Sequence, residues 1–309
     1  MNRKIVFLDI DGTLSIDNRV PPSAKRACRA ARKNGHLLYV CTGRARLQIK
    51  PALIRIGFDG IASSAGAYIE TASNAQAVSA KGGELLFSAS MEADKLRALT
   101  SYFKRHGTAY LLELEDRLIA GPSLKSYFAE YYAGWHLTFK SLPDRFLLWQ
   151  LFRKCEWNID NLDGCDVRNV VFWESGGVTF EDVEREFGAD YELSRLSIPV
   201  FGMEGGEMGP HGVHKGLALE KISAYHGFDR SDTMAFGDGD NDRTMILGAG
   251  IGIAMGNATP SLKAIAGDVT DDIENGGLAK AFKKYGLVYE AEHDSRSRRR
   301  AAGFSNTGE

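Results

Sequence analysis

Two stretches of the chain alternate short apolar runs with amphipathic ones, and the apolar runs end on polar or acidic clusters. That rhythm constrains the fold more than any other feature. Residues 4–9, Lys-Ile-Val-Phe-Leu-Asp, are short and β-branched, as suits a strand covered on both faces. After a polar turn at Asp17 and Asn18, Pro21 and Pro22 open a helix. Its Ala24, Ala27, Cys28 and Ala31 recur at i, i+3, i+4 and i+7, and Gly35 stops it. A strand over 37–41, a helix over 45–56 and a strand over 60–64 follow. Connections this short predict right-handed crossovers and a parallel sheet. The same rhythm returns from Val213: a helix to Tyr225 ended by Gly227, a strand at 233–236, a helix from Asn241 and a strand at 250–255.

Between the two stretches the pattern changes. Residues 65–85 are small, polar and Gly-rich and read as a hairpin with a linker. A helix over 90–106 would bury Leu96, Leu99 and Phe103 and end at Gly107. Then come a hairpin at 109–120, an aromatic helix at 123–133, a strand at 167–173, a helix at 178–187 and a strand at 191–196. The expected fold is α/β: a doubly wound, Rossmann-like parallel-sheet core from residues 1–83 and 201–288, with residues 84–200 inserted as an α/β cap. Residues 289–309, with Ser-Arg-Ser-Arg-Arg-Arg at 295–300, show no periodicity and are expected to form a disordered tail.

A chain of 309 residues can bury the cores of two modest domains. Its net charge of −2 lacks the basic excess of a nucleic-acid binder, although a local basic pocket remains open to it. No run approaches the ~18 apolar residues of a membrane span. Asp9 and Asp11 break the apolar start, so neither a membrane partner nor a signal peptide is expected, and the chain is placed in the cytoplasm. Cys28, Cys41, Cys155 and Cys165 form no Cys-x-x-Cys pair. They are expected as free thiols rather than a Cys155–Cys165 disulfide.

Ligands of open parallel sheets gather at the carboxyl ends of the strands, and four clusters map there. Asp9-Ile10-Asp11-Gly12-Thr13 ends the first strand, where Gly12 permits a turn that aims both carboxylates into the crevice. Thr42, Gly43 and Arg44 follow the second strand; a hydroxyl, a glycine and free helical N–H groups suit a phosphate, and an ordinary N-cap would use the same residues. Lys215 stands at a helix start, where the macrodipole disfavours a cation, so either a phosphate or plain solvation explains it. Gly237-Asp238-Gly239-Asp240-Asn241-Asp242 packs acids that repel one another unless a cation intervenes. Mg²⁺ fits this cluster better than Ca²⁺, because the Glu that ends an EF-hand loop is missing.

Over residues 3–285 these clusters, in this order, resemble the haloacid dehalogenase-like hydrolase superfamily, and the position of the insert resembles its Cof-type phosphatases with a class IIB cap. The resemblance implies that Asp9 is an aspartyl nucleophile and Asp11 the general acid/base. It implies that Asp9, Asp11 (through its carbonyl), Asp238 and Asp242 hold or support Mg²⁺, and that Thr42, Gly43, Arg44, Lys215 and Asn241 bind the phosphate of a small phosphometabolite. Met255-Gly256-Asn257-Ala258 matches a further family segment. The chain departs at Ala65-Gly66-Ala67, where the family often has Asn-Gly-Ala, and in the Gly-rich segment before Lys215, whose His211 and His214 are expected on a solvated surface.

Tyr127, Phe128, Tyr131, Tyr132 and Trp135 would form either a stacking wall for a substrate ring or, as helical aromatic stripes more often do, part of a core. A phosphomannomutase-like phosphotransferase is the nearest rival function. It needs a second anion site, for which the insert offers only scattered cations: Arg97, Arg105, Arg117, Lys125 and Arg145. A catalytically silent regulatory protein on the same fold is the other rival. Oligomeric state is not legible.

Overall fold

The computed structural model describes residues 3–73, 77–79, 81–133, 152–157, 161–196 and 204–288. Trp135, Arg145, the side chains of Tyr131 and Tyr132, and the tail over 289–309 lie outside this description.

The first sheet is assembled from β1 (Ile5–Leu8), β2 (Leu37–Cys41), β3 (Gly60–Ser63), β4 (Tyr68–Thr71), β5 (Glu84–Ser88), β12 (Thr233–Gly237), β13 (Ile251–Ala254) and β14 (Asp268–Val269). Their order is β14-β13-β12-β1-β2-β3-β4-β5. β14 through β3 pair in parallel, and β4 and β5 add an antiparallel hairpin at one edge. Strand order reverses between β1 and β12, which opens a crevice at their carboxyl ends.

Every residue of β1 is buried because the two faces of the strand feed two cores. Val6 and Leu8 pack with Ala24, Ala27 and Cys28 of α1 (Pro22–Lys33) and with Phe282 of the helix over Gly277–Lys284. Ile5 and Phe7 pack on the opposite side with Ala218, Leu219, Met245 and Leu262. A strand buried on both faces cannot alternate polar and apolar residues, which explains its continuous apolar reading.

The expected helix over 45–56 is a 3₁₀ turn at Arg46–Gln48 followed by the single-turn α2 (Pro51–Ile54). Pro51 has no N–H to continue the first turn and holds Lys50 extended, at φ −64° and ψ 138°. The helix expected from 241 is likewise a 3₁₀ turn at Asp240–Asp242 leading into a helix over Arg243–Gly248.

A second sheet has the order β10-β11-β9-β6-β7-β8, formed by β6 (Ala109–Glu113), β7 (Leu118–Ala120), β8 (Cys155–Trp157), β9 (Asn169–Trp173), β10 (Tyr191–Arg195) and β11 (Gly205–Pro210). One face packs against α3 (Ala93–His106) and α5 (Phe180–Phe187), where Phe103 stacks on Phe172 at 5.5 Å. The other face carries Leu111, Val171 and Trp173 together with Leu124 and Phe128 of α4 (Leu124–Ala133). Phe128 meets Trp173 edge-on at 5.2 Å and is buried, so this member of the aromatic stripe is core.

Sheet pairing crosses the expected divisions at 83/84 and 200/201. Residues 84–88 belong to the first sheet and residues 205–210 to the second. β11 has no counterpart among the expected strands, because Gly-Gly-Glu-Met-Gly-Pro has neither alternation nor β-propensity. Its glycines answer a packing demand, since a Cβ at Gly205 would stand 2.1 Å from the Phe172 carbonyl oxygen.

The four cysteines are free thiols, and among the described residues no helix is long and apolar enough to cross a membrane. Phe103→Ala should cost the second sheet's core about 3–5 kcal/mol, because little can collapse into the space between Tyr110 and Phe172. Urea denaturation followed by tryptophan fluorescence would measure the loss.

Candidate active site

The site begins with a turn. Beyond β1 the chain folds back through Gly12, whose N–H donates to Ser15 O at 2.9 Å. Gly12 adopts φ +78°, and a Cβ there would lie 2.0 Å from Asp238 Oδ2. Only glycine lets the turn after β1 come this close to the acidic turn after β12. Thr13 Oγ1 donates to Asp238 Oδ1 at 2.8 Å and ties the two turns together.

Lys215 is the first residue of α6 (Lys215–His226) and is 1% exposed. Its ammonium donates to Asp9 Oδ1 at 2.7 Å and to Asp242 Oδ1 at 2.5 Å. Asp242 is completely buried, and its Oδ2 also accepts from the Asp238 and Gly239 N–H groups at 2.9 and 3.1 Å. The unfavourable position of a lysine at a helix start is thus offset by two carboxylates. His214, expected on a solvated surface, is the N-cap of α6: its Nδ1 accepts from Leu217 N at 3.1 Å. His211 is exposed.

Asp9, Asp238 and Asp242 bring carboxylate oxygens within 4.8 Å of one another. Burial raises the Asp9 pKa; Lys215 opposes the shift, and Asp242, Asp238 and Asp11 add to it. Asp238 is pushed up to about 7, by burial first and by Asp242 second. Burial works to lower Lys215, but Asp242 and Asp9 outweigh it and hold the ammonium above its ordinary value. One ammonium does not balance these acids. Hard oxygen donors with an excess of negative charge fit a small divalent cation such as Mg²⁺.

The Asp11 carboxylate is outside that acidic group. Arg44 grips it with two donors, Nε to Oδ2 at 2.6 Å and Nη2 to Oδ1, while Arg44 Nη1 donates to Asn18 Oδ1 at 2.6 Å. The helix expected to open behind Thr42 and Gly43 is absent. Thr42 Oγ1 instead accepts from Arg44 N at 3.2 Å, and the Thr42 carbonyl accepts from Ala65 N at 2.9 Å. Ser64 and Ala65 adopt φ +47° and +52°. Asn is tolerated in that region far better than Ala, so Ala65 holds a strained position. Gly43 lies beside Asn241: a Cβ on Gly43 would stand 3.7 Å from Asn241 Nδ2.

Several contributors have no role assigned from the sequence. Thr13 holds Asp238, and Asn257 donates to the Gly12 carbonyl at 2.8 Å while accepting from Ile273 N at 3.2 Å. From the second sheet, Glu207 approaches Gly43, and Glu113 accepts from Gln48 Nε2 at 2.6 Å. The Asp-Gly-Thr and Met-Gly-Asn-Ala motifs marked the first two. No local pattern marked the glutamates.

Gly12→Ala should displace the Asp238 carboxylate and weaken divalent-cation binding by at least about tenfold, measured by calorimetry; a one-ångström displacement of a functional group can cost more than that. A second expectation concerns metal-free protein. Because the folded Asp238 pKa lies above its unfolded value, this group stabilises the fold at low pH. That contribution is lost as pH rises from about 4 towards 7. Asp238→Asn should therefore gain on wild type in EDTA by up to about 1.4 kcal/mol per pH unit across that window. Paired urea melts from pH 4 to 8 would show a flat difference if the sign is wrong.

The model of the haloacid dehalogenase-like hydrolases matches residues 6–282. The phosphatase-named YkrA of Bacillus subtilis (strain 168) is 26% identical over 298 residues, covering 93% of this chain and 100% of its own length. The HMP-PP phosphatase of Cronobacter sakazakii is 27% identical over 258 residues, covering 83% and 85%. Among solved structures, the subclass IIB sugar phosphatase BT4131 shares the fold at a TM-score of 0.65 and 23% identity, covering 92% of this chain and 100% of that one. A match across nearly the whole sequence, on a doubly wound core whose motif residues converge at its switch point, places this chain in the haloacid dehalogenase-like hydrolase family.

Proposed function

We propose that this hydrolase is a cytoplasmic, Mg²⁺-dependent phosphatase that transfers the phosphoryl group of a small phosphometabolite to Asp9 and then to water. The observation that carries the reading is the convergence of Asp9, Asp238 and Asp242 around Lys215. Curated relatives named as phosphatases include one for HMP-PP and one for 5-amino-6-(5-phospho-D-ribitylamino)uracil, which favours a small soluble substrate.

A phosphomonoester dianion approaching a carboxylate is repelled. Two unit charges 4 Å apart interact by roughly 4 kcal/mol at an effective dielectric of 20. Asp9, Asp238, Asp242 and the Asp11 carbonyl would hold Mg²⁺, which when bound supplies positive charge that keeps Asp9 ionised and offsets the charge of the phosphate. Lys215 adds a fixed ammonium on the nucleophile's side. Thr42, Gly43 and Asn241 orient the phosphoryl oxygens, and Arg44 serves them from its seat on Asp11. Asp9 attacks in line and becomes an aspartyl-phosphate, which divides one difficult displacement into two. Asp11 protonates the departing alkoxide and then takes a proton from the attacking water.

The second sheet acts as the cap, joined to the core through residues 89–92 and 211–214. Its closure excludes bulk water from the aspartyl-phosphate until a water can be positioned by Asp11.

Asp9→Asn should lower kcat/KM for p-nitrophenyl phosphate by more than about 10³-fold, as loss of a covalent nucleophile does elsewhere. EDTA should abolish turnover and Mg²⁺ restore it. Full activity of Asp9→Asn, or turnover indifferent to EDTA, would sink the proposal. A product assay separates a phosphatase from a mutase: inorganic phosphate accumulates and no isomerised ester appears.

A further inference from the structure

One cap strand reaches into the site with a charge that the chemistry above does not use. Glu207 lies mid-strand in β11, and its Oε2 would be 2.9 Å from a Cβ on Gly43. Its carboxylate therefore stands over the loop that the proposed function gives to the phosphate, beside Asn241. Among the described residues, no side chain or backbone group donates a hydrogen bond or forms an ion pair with it. Lys215 attracts it from a distance, while burial and Asp11 work against its charge.

The surrounding cap face has one chemical character. Register pairs Glu207 with Val171 and Ser194, and Glu113 with Asn169, which puts these side chains on one side of the sheet. Asn169 Nδ2 donates to Glu113 Oε2 at 3.0 Å, and Gln48 from the core occupies Oε1. Glu113 is thus satisfied, and among the described residues Glu207 has no such partner. The described strand residues on this face are acids, amides, hydroxyls and apolar groups, with no lysine or arginine. Arg168 and Arg195 leave the other side, towards Ser88 and Glu181. Glu207 is half-buried and stands over the Gly43 loop with its acceptors open, so a molecule that enters here can supply the donor.

We propose that Glu207 is the specificity residue of the closed site, accepting from a hydroxyl or an ammonium group that the leaving group carries within two or three carbons of the ester, and turning away leaving groups with a second phosphate. This rests on the phosphatase reading and deepens it. The preferred substrates are monophosphates of polyols and amino alcohols. Bisphosphates meet a carboxylate where a mutase would need a cation.

Three matched esters test this: propyl phosphate, glycerol 1-phosphate and 2-aminoethyl phosphate, with p-nitrophenyl phosphate as reference. In wild type, kcat/KM for the two donor-bearing esters should exceed that for propyl phosphate by about tenfold or more, the usual range of a charge-assisted hydrogen bond. Glu207→Gln should shrink the ammonium advantage to within about threefold, read as a ratio so that general losses cancel. A wild-type ratio near one overturns the inference even if the variant does not fold. A folded Glu207→Gln with the wild-type ratio overturns it as well, since the leaving group's own acidity would then explain the preference. Absence of Mg²⁺-dependent turnover of p-nitrophenyl phosphate would instead refute the phosphatase reading.

Discussion

The structure of the site depends on one ammonium buried between two carboxylates. Lys215 contacts Asp9 from the β1 turn and Asp242 from the β12 turn, so it bridges the two central strands at the point where the sheet reverses. Taking such charges out of water costs several kcal/mol per ion, and a lone buried acid would simply take up a proton. Here the N–H groups of Asp238 and Gly239 complete Asp242, which leaves the burial cost concentrated on Asp9 and Asp238. Burial raises the pKa of both. The fold thus holds a charge deficit ready for a cation and fixes its position before any ligand arrives.

Backbone geometry makes that concentration possible. Asp9 N donates to Phe236 O at 3.1 Å, and Thr259 N to Asp238 O at 2.9 Å, so the turns continue the sheet's own hydrogen bonding. Gly12 removes the side chain that would separate them. Asn257 then clamps the Gly12 carbonyl from a third loop. Each acid therefore sits on rigid strand ends, and the side chains need little reorganisation at the moment of reaction.

The core was legible because burial on both faces leaves an unmistakable mark. Ile5–Leu8, Leu37–Cys41 and Thr233–Gly237 are fully buried strands, and each delivers a motif at its carboxyl end. What the sequence concealed depended on partners remote along the chain. Nothing local says that Arg44 grips Asp11, since a Thr-Gly-Arg turn serves a phosphate or a carboxylate equally well. Pro51 did carry the information that breaks the helix over 45–56, and periodicity masked it. β11 was the hardest case. Its glycines are demanded by Phe172 across the sheet, and a strand chosen for close approach rather than propensity looks like a loop.

The same strand explains why the cap and the core were shaped together. Gly43 has no side chain, which leaves open the space that the proposed function gives to a phosphate and also admits Glu207 Oε2 to 2.9 Å from where a Cβ would stand. A residue with a Cβ at position 43 would move the glutamate and narrow the loop at once, so the small residue in the core and the acid in the cap constrain one another. Gln48 reinforces the arrangement, because its bond to Glu113 spans core and cap at 2.6 Å and places the acidic face over the crevice. The cap therefore contributes more than a lid. Its acidic face lies opposite the loop that the proposed function gives to the phosphate, so on that reading a substrate bridges the two with its phosphate pointing down and its hydrogen-bond donors pointing up.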